Sequence, residues 1–410
     1  MAVRTEAVMD TTLFRPFTVE VPEADLEALR TRLSVTRWPE RELVADQSQG
    51  VPLATIQAVV RYWENEYDWR RIEARLNSLP QFITEIDGLD IHLVHVRSPH
   101  ENALPLIVTH GWPGSVIEQL KIIEPLTDPT AYGGDASDAF HLVIPSLPGH
   151  GFSAKPSAPG WGPERIARAW VELMRNLGYA RFVAQGGDWG AMVTDLLGVQ
   201  APPELLGIHT NMAGTVPPDL DKALQAGISG ANDALGSMPS DLSADERRAV
   251  EQLDFVWKHV AYALMMQSRP QTLTGLADSP AGLAAFLLDH DAQSLDLISR
   301  VFAGASEGLS RDDVLDNITL YWLTNTAVSA ARLYAENTLS FFAAKGVSSS
   351  VPAAVSVFPG ELYQAPRSWA EQAYPNLVYY HELDKGGHFA AWEQPQLFCE
   401  ELRAAFRSLR

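Results

Sequence analysis

The apolar positions of this chain change period along its length, and those changes mark its elements. "FITEIDGLDIHLVHVRS" (82–98) alternates apolar and polar residues on both sides of Asp87-Gly88. That dipeptide is a favoured two-residue turn, so the stretch is a predicted β-hairpin. Three short apolar runs follow: "PLIVTHGWPG" (105–114), "FHLVIPSLPGHGFS" (140–153) and "RFVAQGGDWG" (181–190). Each reads as a buried strand. Between the last two, "GPERIARAWVELMRNLG" (162–178) switches to helical spacing, with Ile166, Trp170, Leu173, Met174 and Leu177 on one face. Pro163 suits its first turn and Gly178 its stop. A fourth strand, "LLGIHTNMAG" (205–214), comes after a further helix. Strands alternating with helices predict an α/β fold with a mainly parallel sheet.

The flanks follow other rules. Residues 16–80 hold short helical patterns broken by prolines, such as "VPEADLEALRTRL", and are rich in Trp and Arg. This segment is too irregular to fold alone and is predicted to wrap a larger body. Residues 215–340 read as helices and long loops without a strand. "DFVWKHVAYALMMQS" and "NITLYWLTNTAVSAARLYAEN" are helical, and "ISGANDALGSMPSDLSADE" is loop-like. Strand signals return at "AAVSVFPGE" (353–361) and "NLVYYHEL" (376–383). A helical insertion between two parts of one sheet is a lid over the edge where α/β sites lie. The expected division is an N-terminal extension (1–100), a first core part (101–214), a lid (215–345) and a second core part (346–410).

Composition narrows the function. With 46% hydrophobic and 20% charged residues, the 410-residue chain is globular. Its formal charge of −20, from 51 acids and 31 bases, argues against nucleic acid and anionic membranes as partners. The lone cysteine, Cys399, allows no intrachain disulfide and reads as a buried helix residue. The N-terminus lacks the apolar core of about 7–15 residues that a secretory signal needs. No window reaches the roughly 18 apolar residues of a membrane span. The default expectation is a soluble cytoplasmic protein.

The chemistry concentrates where "RFVAQGGDWG" meets its helix. A glycine-rich strand-to-helix corner is where α/β-hydrolases carry their nucleophile. Here that residue is Asp188. An Asp capping a helix fits the same letters and stays open. The backbone N–H groups of Trp189 and of Trp112, in "HGWPG" (110–114), would form an oxyanion hole. Hydrolases of this fold run nucleophile, acid, histidine along the chain. His388 follows a Gly-Gly turn after the last strand, and Glu361 follows the strand before it. Asp384 is nearer to His388 in sequence but shares its loop. His92 and His95, three apart on a strand, face opposite sides and make no metal pair. His110 and His150 read as structural hydrogen bonders. No metal motif appears, so neither metal nor cofactor is expected.

A carboxylate nucleophile is ionised at neutral pH without a base. It suits displacement at a saturated carbon, giving an alkyl ester that His388, oriented by Glu361, then hydrolyses with water. Alkyl halides and epoxides both fit. A halide needs N–H donors, whereas an epoxide oxygen needs a proton, best from a phenol.

The chain resembles the epoxide hydrolases of the α/β-hydrolase superfamily, in the microsomal-type branch with an N-terminal extension. The resemblance covers roughly residues 12–408. Its motifs are "LPQF", "HGWPGS", "IPSLPGHGFS", "GGDWG", "DSPAGLAAF", "LYWLTNTAVSAARLYAEN", "FPGE" and "GGHFAAWEQP". It implies two lid tyrosines that bind and protonate the epoxide oxygen. "RLYAEN" places one at Tyr334; "VAYALMMQSRPQT" offers Tyr262, by its spacing to Pro270. It implies a hydrophobic epoxide and water as reactants, a vicinal diol as product, and a homodimer as a family-level expectation. Two departures stand out: microsomal members carry an N-terminal membrane anchor that is not read here, and Glu361 is the longer of the two acids the family uses. Trp257, Met265, Met266 and Trp322 are apolar lid residues that either line a substrate cavity or fill the lid core. A haloalkane dehalogenase with the same triad is the alternative enzyme. A non-catalytic small-molecule receptor on a hydrolase fold is the alternative of another class.

Overall fold

The computed structural model describes residues 13–228 and 239–410. The start of the stretch read as lacking a signal (1–12) and part of the predicted loop (229–238) lie outside them. Among the described residues nine strands form one sheet: β1 (Phe14–Pro16), β2 (Gln81–Ile86), β3 (Leu89–Val96), β4 (Leu104–Thr109), β5 (Phe140–Pro145), β6 (Phe182–Gly186), β7 (Leu205–Thr210), β8 (Ala353–Val357) and β9 (Leu377–Glu382). Their order is β1-β2-β3-β5-β4-β6-β7-β8-β9. The first three are antiparallel, and β5 to β9 run parallel.

Local sequence explains most of this. Asp87 (φ 53°) and Gly88 (φ 78°) both take the positive φ of a tight hairpin turn, and they join β2 to β3. Strands β4, β5, β6 and β8 are mainly apolar and buried along nearly their whole length, as parallel strands covered on both faces are. The helix Pro163–Asn176 buries Ile166, Trp170, Leu173 and Met174 completely, as its spacing predicts. Cys399 is buried in the helix Pro395–Phe406, and burial pushes its thiol up to about 12. Strand β1 was not predicted. It is three residues long and pairs with β2, far along the chain.

Between β7 and β8 the described residues form a helical segment, with helices such as Ala244–His259, Ala261–Ser268, Pro280–Leu288, Arg311–Thr324 and Ala327–Glu336. The N-terminal helices Glu23–Ser34, Leu53–Asn65 and Trp69–Asn77 pack against it. Asp316 anchors that contact. Its buried carboxylate accepts from both Tyr67 Oη (2.8 Å) and Arg71 Nη2 (2.7 Å). Arg71→Leu would leave the carboxylate with one donor. We expect a loss of about 1–3 kcal/mol, measured by urea denaturation. An unchanged midpoint would show that the strap carries no load. No helix among the described residues is long and apolar enough to cross a membrane.

The sheet also fixes where a site can lie. From β4 the chain crosses to β5 on one side and then returns to β6 on the other. The crevice outside the carboxyl ends of β4 and β6 is a topological switch point, where open α/β sheets bind ligands. Trp112 leaves β4 there, and Asp188 leaves β6 there.

Candidate active site

Asp188 sits at the corner between β6 and the helix Trp189–Gln200, with φ 52° and ψ −125°. A positive φ in a non-glycine residue is strained, and such strain collects at functional sites. Neighbouring glycines permit the corner. A Cβ on Gly190 would collide with the Thr109 carbonyl, and one on Gly111 would collide with the Asp188 carboxylate. The Asp188 side chain makes no cap hydrogen bond to its helix, which removes the helix-cap reading. Instead the Trp112 N–H donates to Oδ1 at 2.7 Å. Trp189 opens the helix, so its own N–H lies outside the helical ladder.

His388 and Glu361 converge on the same point from the loops after β9 and β8. His388 Nδ1 lies 2.5 Å from Glu361 Oε1, and Nε2 lies 3.8 Å from Asp188 Oδ2. The Leu362 N–H also donates to Glu361 Oε1 at 2.8 Å, fixing the acid from its own loop. All three side chains are buried, so Glu361 is not a solvated surface acid. Asp384 is exposed. Burial alone would lower the His388 imidazole. The carboxylates of Glu361, Asp188 and Asp291 outweigh it and raise it far above the ordinary value.

Tyr262 and Tyr334 come from the helices Ala261–Ser268 and Ala327–Glu336, between β7 and β8. Their rings lie 6.4 Å apart at 80°, and both pack on Trp112. Burial pushes both phenols well above 10, and the Asp188 charge adds to it. Both therefore stay protonated and able to donate. With Asp188 they line a cavity of about 480 Å³, walled further by Trp257, Phe341 and Phe342. Of the four lid residues singled out from sequence, only Trp257 reaches this cavity. Met266 is buried outside it, Met265 is 40% exposed, and Trp322 lies under the Arg32 guanidinium at 5.7 Å. Helix periodicity placed these residues on the lid but not on the face turned to the site.

The other histidines behave as their neighbours dictate. His92 bonds Ser146 Oγ and Gln81 Oε1, whereas His95 bonds Tyr179 Oη. His110 and His150 bond loop backbone. His290 was missed. It comes from the lid, its Nδ1 is 2.9 Å from Asp291 Oδ2, and its ring lies 4.4 Å from that of His388. Burial would raise Asp291, but His290 holds it at about 2. A donor atom from each of Asp188, His290 and His388 lies within 4.8 Å of the others, a grouping with metal-ligand spacing. No local motif announces it, because its members are far apart in the chain.

Comparison with known proteins bears on the family and the fold. Residues 14–119 match the family described as "Epoxide hydrolase N terminus", and residues 105–253 match "alpha/beta hydrolase fold". A Stigmatella aurantiaca protein named "Putative epoxide hydrolase" is 52% identical, over 96% of this chain and 85% of its own length. "Epoxide hydrolase 1" of Oryctolagus cuniculus is 34% identical, over 95% and 87%. The solved structure of Aspergillus niger epoxide hydrolase superposes with a TM-score of 0.80 at 30% identity, covering 98% of this chain and 99% of that one. Juvenile hormone epoxide hydrolase from Bombyx mori gives 0.82 at 28% identity, covering 98% and 96%. An elbow carboxylate under two protonated phenols, with relatives at this identity over nearly the whole chain, leaves one conclusion: this chain belongs to the epoxide hydrolase family, on the α/β-hydrolase fold, and is an enzyme that hydrolyses epoxides.

Proposed function

We propose that Asp188 opens the epoxide by direct attack, through a covalent glycol ester. The observation that carries this reading is the pair of phenols, held protonated, that share one cavity with the carboxylate. Asp188 Oδ1 accepts from the Trp112 N–H, so Oδ2 is the attacking oxygen. It bonds to an epoxide carbon while that carbon's bond to the ring oxygen breaks. Tyr262 and Tyr334 hydrogen-bond the departing oxygen, and one of them donates a proton. Oδ1 becomes the ester carbonyl oxygen, with the Trp112 and Trp189 amides as its oxyanion hole. His388, held in one tautomer by Glu361, then takes a proton from water as the water adds to the ester carbon. Collapse releases a vicinal diol, whose new hydroxyl takes the proton from His388, and the acid proton left on Asp188 replaces, by way of His388, the one the tyrosine gave, which restores carboxylate and phenol.

A halide leaving group would need no proton, so the phenols favour the epoxide over the dehalogenase alternative. Apolar walls at Trp257, Phe341 and Phe342 support a hydrophobic substrate. In this reading the extension (1–100) braces the lid, the lid (215–345) carries the phenols, and the two core parts (101–214 and 346–410) carry the triad.

A single turnover of styrene oxide in ¹⁸O-water tests the covalent scheme. The first diol should carry no label, because its new oxygen comes from Asp188. Label in that first diol would rule the ester out. The phenol assignment has its own test. Tyr262→Phe and Tyr334→Phe should each slow ester formation roughly 10- to 100-fold, and the double variant at least about 1,000-fold. Quenched-flow measurement of epoxide consumption reads this; unchanged consumption in the double variant would count against the assignment.

A further inference from the structure

A second cavity touches the site and shares only Asp188 with the one that holds the tyrosines. Its volume is about 20 Å³, room for one water. Asp188, His388, Glu118, Gln119, Gln185 and Asn211 line it. Three of its polar atoms are buried without a hydrogen-bond partner among the described residues: Glu118 Oε2, Gln119 Oε1 and Gln185 Oε1. The other ends of these side chains are already engaged. Gln119 Nε2 donates to Glu118 Oε1 at 2.6 Å, and Gln185 Nε2 donates to Asn211 Oδ1 at 2.9 Å. Unpaired buried polar atoms are costly, and several around a water-sized space point to a bound water.

We propose that this cavity seats the hydrolytic water and that Glu118 is the residue that positions it. The inference rests on the ester mechanism above and assigns its second step. Burial raises the Glu118 carboxyl to about 8, so at neutral pH it is mainly a neutral acid. It then offers an O–H to the water through Oε2, while Oε1 keeps the Gln119 amide. The water donates one hydrogen to a glutamine carbonyl and the other to His388 Nε2. Its remaining lone pair faces the ester carbon of Asp188. As the new C–O bond forms, the second hydrogen passes to His388. The bond to the glycol oxygen then breaks, and that oxygen takes the proton from His388.

A neutral Glu118 makes Glu118→Gln a close substitute, because an amide N–H replaces the acid O–H. Glu118→Leu keeps the bulk and removes both polar atoms. Single turnovers of styrene oxide, quenched and read by intact mass, separate ester formation from ester hydrolysis. In Glu118→Leu the ester should form within about twofold of the parent rate but hydrolyse roughly 10- to 100-fold more slowly. In Glu118→Gln hydrolysis should return to within about threefold. Parent-like hydrolysis in Glu118→Leu, or equal impairment of both variants, would overturn the proposal. Should Glu118→Leu fail to fold, Gln185→Leu decides, since it removes another contact from the same water and should slow the same step. Absence of ester in the parent enzyme would strike the mechanism itself, a separate outcome.

Discussion

Asp188→Asn should give a folded protein whose turnover of styrene oxide falls by at least about 10⁴-fold, with no ester at residue 188. The size of the loss follows from the role. A neutral amide is a poor nucleophile, and an enzyme that loses the atom forming its covalent bond retains only binding and electrostatic effects. Folding should survive because the side chain caps no helix, and Asn keeps an acceptor for the Trp112 N–H. Steady-state kinetics and a thermal melt together check the prediction. Activity within tenfold of the parent, with a parent-like melt, would mean that another group opens the epoxide.

His388→Gln should show the opposite phenotype. Ester formation should proceed, because the attacking carboxylate needs no base. Ester hydrolysis should slow by roughly 10³-fold. Mixing enzyme and styrene oxide should consume about one equivalent of epoxide and then stall. Intact mass should show one adduct, mapping to the peptide that contains Asp188. Continuous turnover, or a variant that never consumes epoxide, would contradict the assignment of His388 to the second step. The two variants bracket the ester: one cannot make it and the other cannot clear it.

The parts legible in the sequence were those that short spacing or chain order encode. The Asp87-Gly88 turn, the apolar runs of β4 to β6 and the Gly-rich corner at Asp188 are local signals. The chain order of nucleophile, acid and histidine then singled out Glu361 and His388 from many acids and histidines. The tyrosines were not legible in this way. A tyrosine on an amphipathic helix reads as packing, and only the family resemblance singled out Tyr262 and Tyr334. Strand β1 has three residues and no alternation, and it exists because β2 offers an edge nearly seventy residues later. Glu118 and His290 were not singled out for a further reason. Each looks like an ordinary polar residue in a loop or short turn, and its place beside the site arises from burial among groups distant in sequence. Met265, Met266 and Trp322 show the converse, since apolar character did not tell which face meets the cavity.

The 3.8 Å gap between His388 Nε2 and Asp188 Oδ2 sets the timing of the proton. Before reaction, the anionic Asp188 helps to keep His388 protonated and therefore useless as a base. In the proposed mechanism esterification erases that charge. At such a separation the lost attraction is on the order of several kcal/mol in a partly screened site, so His388 becomes a weaker acid-holder at the moment the ester appears. In the proposed mechanism the same step would leave one phenol short of a proton. Passing the His388 proton on to that phenolate would reset the tyrosine and free the base together, so water would be activated only once there is an ester for it to attack.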